Sequence, residues 1–158
     1  MSTAPHVSWE STLQVRDACL CLHAQRAARA LARRFDDALR PLDLTNGQFS
    51  LLMALNRPLA PSMGQVAEVL AMDRTTLTAA LKPLVRRGLV ESGMNENDKR
   101  SRRLEMTPLG KNILAAAFPI WVAAHTEVEA SLPSKEAERL RRGLRALSLD
   151  AKASKADT

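Results

Sequence analysis

The stretch DRTTLTAALKPLVRRG, residues 73–88, has the pattern of one amphipathic helix with a signal at each end. Asp73 is a favourable N-cap residue, and Gly88 stands where a positive φ commonly ends a helix. Three leucines follow the spacing i, i+4 and i+7, which places them on one face of the helix (Leu77, Leu81 and Leu84). The sequence therefore predicts a helix with one buried leucine face and one polar, basic face.

Pro83 lies inside this predicted helix, where proline is unfavourable. A proline there removes a backbone hydrogen bond and crowds the carbonyl of Ala79, at an intrinsic cost of roughly 3 kcal/mol. We expect the helix to bend after its first turns, and the alternative is that the helix ends early.

Two shorter helices are predicted upstream, each opened by a capping box. The first pairs Thr45 with Gln48, and its apolar positions are predicted to face the core (Phe49, Leu52, Met53 and Leu55). The second pairs Ser62 with Gln65, and its predicted inward positions are three aliphatic residues (Val66, Val69 and Leu70). A short connection then leads to Asp73.

Two short alternating segments, LVESG and RRLEM, follow the helix and flank a charged connection. This pattern predicts an antiparallel hairpin. Thr107 and Pro108 then supply an N-cap and a first-turn proline for another helix. Longer helical segments are predicted at both ends of the chain, from Trp9 to Leu42 as two helices or one bent helix, and after Pro133.

The positive charge is concentrated in this central region. The chain of 158 residues has a net charge of +6. Between Arg74 and Arg103 there are eight basic residues and three acidic ones, a surplus of five. Such clustering is typical of a nucleic-acid-binding face.

Helix, turn, helix and hairpin in this order predict a winged helix-turn-helix within a mainly α fold that carries a small two- or three-stranded β wing. In this motif the second helix enters the major groove of DNA with its N-terminal side chains. We therefore expect four residues to contact bases (Arg74, Thr75, Thr76 and Thr78). Three others are predicted to hold phosphates (Lys82, Arg86 and Arg103). Arg100, supported by Asp98, is predicted to enter the minor groove.

Three stretches resemble the MarR family of bacterial transcription regulators: LTNGQFSLLMAL, MDRTTLTAALKPLVRRGLVE and NDKRSRRLEMTPLG. The family's wing has the form D-x-R-S, an apolar alternation and T-x-x-G. This chain matches that form at seven positions (Asp98, Arg100, Ser101, Leu104, Met106, Thr107 and Gly110). The resemblance covers roughly residues 10–148. It implies a homodimer held by the first and last helices, a pseudo-palindromic operator, and regulation by a ligand or a redox event.

The resemblance divides the chain into four segments. Residues 1–44 are the expected N-terminal helical dimerisation segment, and residues 45–110 are the winged helix-turn-helix DNA-binding domain. Residues 111–148 are the C-terminal dimerisation helices, and we expect residues 149–158 to be a disordered tail.

Two modes of regulation remain open. The preferred one is a repressor released by a small aromatic or phenolic effector, with four candidate contacts (His23, Arg26, Phe49 and Trp121). The alternative is a peroxide-sensing repressor that uses Cys21. The chain lacks the tyrosines that support a reactive cysteine in that branch of the family. If Cys19 and Cys21 share one helix, they point about 200° apart and do not pair easily.

Other functional classes have weaker support. The three histidines are scattered, and neither a glycine-rich phosphate loop nor a metal-ligand spacing is present, so we expect no enzyme, no cofactor and no metal site. No membrane span or secretory signal is predicted, and the expected location is the cytoplasm. A winged-helix module that binds protein instead of DNA is the remaining alternative.

Overall fold

The computed structural model describes residues 6–95 and 98–153, with side chains for residues 6–93 and 103–148. Within these ranges the chain is mainly α-helical, with one two-stranded antiparallel sheet, which confirms the predicted fold class. A 3-10 turn at Arg40–Leu42 follows the second helix. The elements are α1 (Trp9–Ala18), α2 (Leu20–Leu39), α3 (Asn46–Leu55), α4 (Met63–Val69), α5 (Arg74–Arg86), β1 (Val90–Asn95), β2 (Asp98–Met106), α6 (Pro108–Ala130) and α7 (Glu136–Ala153).

The N-terminal helical segment is divided at Cys19. This residue has an extended backbone, with φ −73° and ψ 106°, and it separates α1 from α2. Ser8 caps α1 by accepting a hydrogen bond from the backbone N–H of Ser11. The sequence predicted either two helices or one bent helix here, and the structure has two helices.

Internal packing divides the chain into two units, Met1–Ala117 and Phe118–Thr158. The first unit contains α1 to α5, the hairpin and the start of α6, and the second contains the rest of α6 and α7. The four segments expected from the sequence stay a prediction. In the region expected to be a disordered tail, α7 continues to Ala153, and residues 154–158 lie outside the described residues.

Both predicted capping boxes are present. In each box the N-cap hydroxyl accepts from the N3 backbone, and the N3 glutamine accepts from the N-cap backbone. Four of the seven predicted inward residues are buried (Phe49, Leu52, Leu55 and Val66). Leu70 is only half-buried, and Met53 and Val69 are exposed by 39% and 57%. The core side of α3 also includes Leu51 and Ala54. Val69 is the last residue of α4, and its side chain is exposed.

The hairpin is anchored to the core by its base. Val90 pairs with Met106 and Ser92 with Leu104, while the intervening Glu91 is exposed. The N–H of Leu104 also donates to the carbonyl of Pro61 over 3.0 Å, and an isolated bridge joins Ser62 to Arg103. Within the described residues, the predicted two- or three-stranded wing is thus two strands plus one bridge.

The junction of α5, β1 and α6 is held by Thr107. Its hydroxyl donates to the carbonyl of Gly88 over 2.6 Å and accepts from the N–H of Gly110 over 3.1 Å. The N–H of Thr107 donates to the carbonyl of Leu89, also over 3.1 Å. This confirms Thr107 as the N-cap of α6. Gly88, with φ 67°, follows the C-cap residue Arg87, as predicted for the end of α5.

Gly110 should tolerate no larger side chain. A Cβ atom there would lie 2.1 Å from the carbonyl oxygen of Leu89, which is backbone and cannot rotate away. We expect Gly110→Ala to lower the free energy of unfolding by about 1–3 kcal/mol in chemical denaturation, because the two segments must move apart. Gly143→Ala is the matched control, since nothing lies within 4 Å of a Cβ at that site. Alanine there should be neutral or stabilising, and equal losses in both variants would contradict the close-approach argument.

Candidate nucleic-acid interface

The start of α5 is fixed by Asp73. One carboxylate oxygen of Asp73 accepts from the N–H of Thr76 over 2.8 Å, and the other accepts from the Thr76 hydroxyl over 2.7 Å. These bonds lower the pKa of Asp73, first through the Thr76 hydroxyl and then through the backbone. The predicted N-cap is confirmed, and Thr76 is part of it.

The two faces of α5 differ in burial. Leu77 and Leu84 are fully buried and Leu81 is 5% exposed. The opposite face carries residues at the spacing i, i+4, i+7 and i+11, all exposed (Thr75, Ala79, Lys82 and Arg86). A helix turns about 100° per residue, so these four lie in one stripe directed away from the leucines. This polar and basic stripe is the surface that α5 offers to a partner.

Thr78 lies at one border of the stripe, and Arg74, in the first turn, lies further round toward the leucine face; both are exposed. The Arg74 guanidinium extends toward the first turn of α4, where its Nη2 would lie 3.8 Å from a Cβ atom on Gly64. The Thr78 hydroxyl donates to the carbonyl of Arg74 over 2.7 Å. The proton of this hydroxyl is therefore used in a hydrogen bond to the backbone of the same helix.

Pro83 does not end the helix. α5 continues to Arg86, and the N–H of Arg87 donates to the carbonyl of Pro83 over 3.1 Å. The alternative of an early end is therefore wrong. The proline lies after the first two turns, so its missing N–H leaves the capped N-terminus intact.

Arg87 fixes the other end of α5, a role that the sequence alone did not predict. Its guanidinium donates to the carbonyls of Leu42 and Asp43, in the turn between α2 and α3. The side chain is 29% exposed, and Asp43 has a left-handed backbone with φ 52°. The arginine thus ties the C-terminal end of α5 to the turn that follows α2. Only its place next to Gly88 could have suggested this role, because its partners are more than forty residues away.

The hairpin brings a further basic residue close to α4. Arg103 is half-buried and its backbone bridges to Ser62, just before the first residue of α4. The side chains of Asp98 and Arg100 lie outside the described residues, so their predicted roles at the minor groove stay predictions.

An open cavity of about 600 Å³ adjoins α5 and the hairpin. Its walls are largely aliphatic, and two cations and two hydroxyls stand among them. The lining residues are Met63, Thr78, Ala79, Leu81, Lys82, Pro83, Val85, Arg86, Ser92 and Leu104. The cavity therefore shares part of the exposed stripe.

Comparison with known proteins identifies the family. The sequence profile of the MarR family matches residues 42–101. The chain is 35% identical over 98 residues to the transcriptional regulator HosA of Escherichia coli O157:H7, covering 61% of this chain and 71% of HosA. It belongs to the MarR family.

Two further relatives agree with this assignment. The MarR-family chain is 38% identical to the transcriptional regulator MosR of M. tuberculosis, solved in complex with DNA, with a TM-score of 0.78. That match covers 86% of this chain and 98% of MosR. This chain is also 31% identical over 86 residues to an uncharacterised HTH-type transcriptional regulator, YybA of Bacillus subtilis. That match covers 54% of this chain and 57% of YybA. The fold and the relatives are those of transcriptional regulators, not enzymes.

The four predicted effector contacts of this MarR-family chain have different surroundings. His23 and Arg26 are exposed on α2, and the Nδ1 of His23 lies 2.9 Å from the carbonyl oxygen of Cys19. Phe49 is 4% exposed in the core of the first unit. Trp121 belongs to the second unit, where its ring stacks on Phe118 and on His125. The predicted ligand role of these residues stays a prediction.

The two cysteines do not share a helix. Cys19 lies between α1 and α2, and its sulfur accepts from the N–H of Leu22 over 3.4 Å. Cys21 is exposed on α2, and its sulfur accepts from Gln25 over 3.2 Å. The geometric argument against their pairing assumed one continuous helix, and that assumption is wrong at Cys19.

Metal-binding clusters and membrane-spanning helices are both absent from the part of the chain that is described. No group of three or more histidine, cysteine or acidic residues is placed to hold a metal ion there. No helix in the same residues is long and apolar enough to cross a membrane.

The cap on α5 should respond to acid. Because the Asp73 pKa is lowered in the folded protein, its contribution to stability is complete above the ordinary value of 3.8 and is lost as the pH falls through the lowered value. We expect Asp73→Ala to lower the melting temperature at neutral pH, and the gap from the wild type to close in the acid range. Asp73→Asn should lose less at neutral pH, since an amide oxygen can still accept from Thr76. A gap that stays constant down to the acid limit would show that the carboxylate charge is unimportant. Thermal melts followed by circular dichroism measure both effects.

Proposed function

We propose that this MarR-family protein is a cytoplasmic homodimer that binds double-stranded DNA at a pseudo-palindromic operator and represses transcription. The supporting observation is α5 itself, which is capped at Asp73, buried along its leucine face and exposed along a polar, basic stripe. A helix of this shape and charge fits the major groove. The relation to MosR, which was solved with DNA bound, agrees with this proposal.

The proposed contacts are those predicted from the sequence. The first turns of α5 face the base edges, and four side chains there are candidates for the base contacts (Arg74, Thr75, Thr76 and Thr78). Lys82, Arg86 and Arg103 bind phosphates, which adds affinity without sequence information. Arg100 enters the minor groove with the support of Asp98, as the resemblance of the wing implies.

The apolar exposure of the terminal helices supports the homodimer. α1 has no buried residue, and three large apolar side chains near the N-terminus are exposed by 60–77% (Val7, Trp9 and Val15). On α7, three exposed leucines recur at i, i+4 and i+7 (Leu140, Leu144 and Leu147). Such stripes normally pack against a partner, and the proposed partner is a second copy. Light scattering should then give twice the chain mass of 17.3 kDa.

The effector is proposed to be a small aromatic or phenolic anion that releases the DNA. The cavity beside α5 has apolar walls and two cations, Lys82 and Arg86, which suit a ring that carries a carboxylate. A ligand there would cover residues that the proposed DNA contact requires, which gives a direct reason for release. The residues predicted from the sequence (His23, Arg26, Phe49 and Trp121) are the alternative location. Release of a labelled duplex by aromatic carboxylates, lost in Lys82→Ala but not in Arg26→Ala, would favour the cavity.

Salt dependence of DNA binding tests the proposed function. We expect fluorescence anisotropy to show tight binding to the DNA upstream of the protein's own gene and weak binding to a scrambled duplex. The slope of log affinity against log salt should fall by about 0.9 for each phosphate contact removed in Lys82→Ala/Arg86→Ala. Arg29→Ala/Arg33→Ala removes the same charge from the exposed surface of α2 and is the matched control. An equal change in both double variants would contradict the phosphate contacts, and no binding at low salt would contradict the proposed function. Binding that ignores salt would favour the protein-interaction alternative.

The thiol-based alternative is tested separately. Cys21 is exposed. Because the preferred regulator is a small effector and not this thiol, Cys21→Ser should leave operator affinity unchanged within about twofold. Peroxide should likewise release wild type and variant to the same small extent in the anisotropy assay. Release of the wild type alone would replace the small effector with a redox mechanism through Cys21.

A further inference from the structure

The three threonines at the start of α5 differ in what their hydroxyl groups do. Thr76 donates its hydroxyl proton to the carboxylate of Asp73 over 2.7 Å. Thr78 donates its proton to the carbonyl of Arg74, also over 2.7 Å. Among the described residues the Thr75 hydroxyl has no hydrogen-bond partner. The sequence presents three equivalent candidates, but the structure separates one from the other two.

The positions of the three side chains also differ. Taking about 100° per residue, Thr75 lies nearly opposite the centre of the leucine face, between the directions of Ala79 and Lys82. Thr76 and Thr78 lie toward the two borders of the exposed stripe. Ala79, one turn beyond Thr75, is exposed and has only a methyl side chain. A base edge can therefore approach the helix closely beside Thr75.

Hydrogen-bond chemistry makes this difference functional. A threonine hydroxyl has one proton to donate and two lone pairs to accept with. Guanine N7 and O6, adenine N7 and thymine O4 are acceptors in the major groove, so they need a donor from the protein. Thr76 and Thr78 can donate to them only by breaking a bond within the helix, which offsets the gain. Thr75 can donate without that loss.

We propose that Thr75 is the threonine that specifies a base, by donating its hydroxyl proton to an acceptor on the base edge. Thr76 and Thr78 are positioning residues, which hold the first turns of α5 in shape. This inference rests on the proposed function. It assigns different roles to the three threonines among the four base contacts predicted from the sequence. Ala79 joins the site as the small residue that admits the base.

A binding selection from a pool of duplexes with a randomised core tests the assignment, because it requires no known operator sequence. Bound duplexes are sequenced for the wild type and for three variants that replace a hydroxyl by a methyl of similar shape: Thr75→Val, Thr76→Val and Thr78→Val. Thr75→Ser, which keeps the hydroxyl, is the conservative control. Circular dichroism at the selection temperature establishes that each variant is folded.

We expect the wild type to enrich one motif with two related half-sites. In Thr75→Val the preference at one symmetric base position should fall about tenfold, while the other positions keep theirs. Thr75→Ser should restore that preference. Thr76→Val and Thr78→Val should retain the complete motif, even where Thr76→Val melts at a lower temperature because it loses the bond to Asp73.

Two results would overturn this inference and leave the proposed function standing. One is an enriched wild-type motif that Thr75→Val leaves unchanged. The other is a change in base preference caused by Thr76→Val or Thr78→Val. If the wild type enriches no motif, both this inference and the proposed sequence-specific function fail. The experiment thus distinguishes failure of the inference from failure of the proposed function.

Discussion

Burial of the leucine face of α5 is the constraint on which the rest of the structure depends. Leu77 and Leu84 are completely buried, and α5 contacts α3, α4 and β1. Each fully buried leucine stabilises the fold by roughly 1.5–3 kcal/mol relative to an exposed one. Because that face can lie only against the core, the rotation of α5 about its axis is fixed. The opposite stripe is then necessarily presented to the outside.

Polar contacts at both ends of α5 complete what burial begins. Asp73 caps the first turn, and Arg87 joins the end of the helix to the carbonyls of Leu42 and Asp43. Thr107 then links the residues after α5 to the start of α6. Hydrophobic burial has little directional preference, whereas these hydrogen bonds have defined geometry. Together they place the stripe and the hairpin in one fixed arrangement.

The same arrangement would connect the proposed DNA contact with the proposed effector site. The cavity beside α5 is lined in part by Lys82 and Arg86, which are also the proposed phosphate contacts. A ligand in that cavity would compete with DNA for those two side chains without a distant conformational change. Arg87 provides a second connection, from α5 to the end of the helix that carries Cys21.

Local signals explain why much of the fold could be predicted. The N-caps, the capping boxes, the leucine spacing and the alternation of the hairpin each depend on residues a few positions apart, and the structure confirms them. Predictions were less accurate where burial depends on neighbours distant in sequence. Met53 and Val69 are apolar but exposed, while Ala54 is buried. The break at Cys19 was one of two alternatives, because helix propensity alone does not locate a bend.

The sequence by itself determined the mainly α fold, the order of helix, turn, helix and hairpin, and the concentration of positive charge on that region. These follow from periodicity and composition, which are properties of the chain before it folds. Only the tertiary structure decided that Arg87 binds the turn after α2 and that Gly110 approaches the carbonyl of Leu89. It also decided which threonine hydroxyls bond within the described part of the chain, those of Thr76 and Thr78. The physical reason is that hydrogen bonds and close contacts depend on distances and directions in space, and these exist only once the leucine face has been buried.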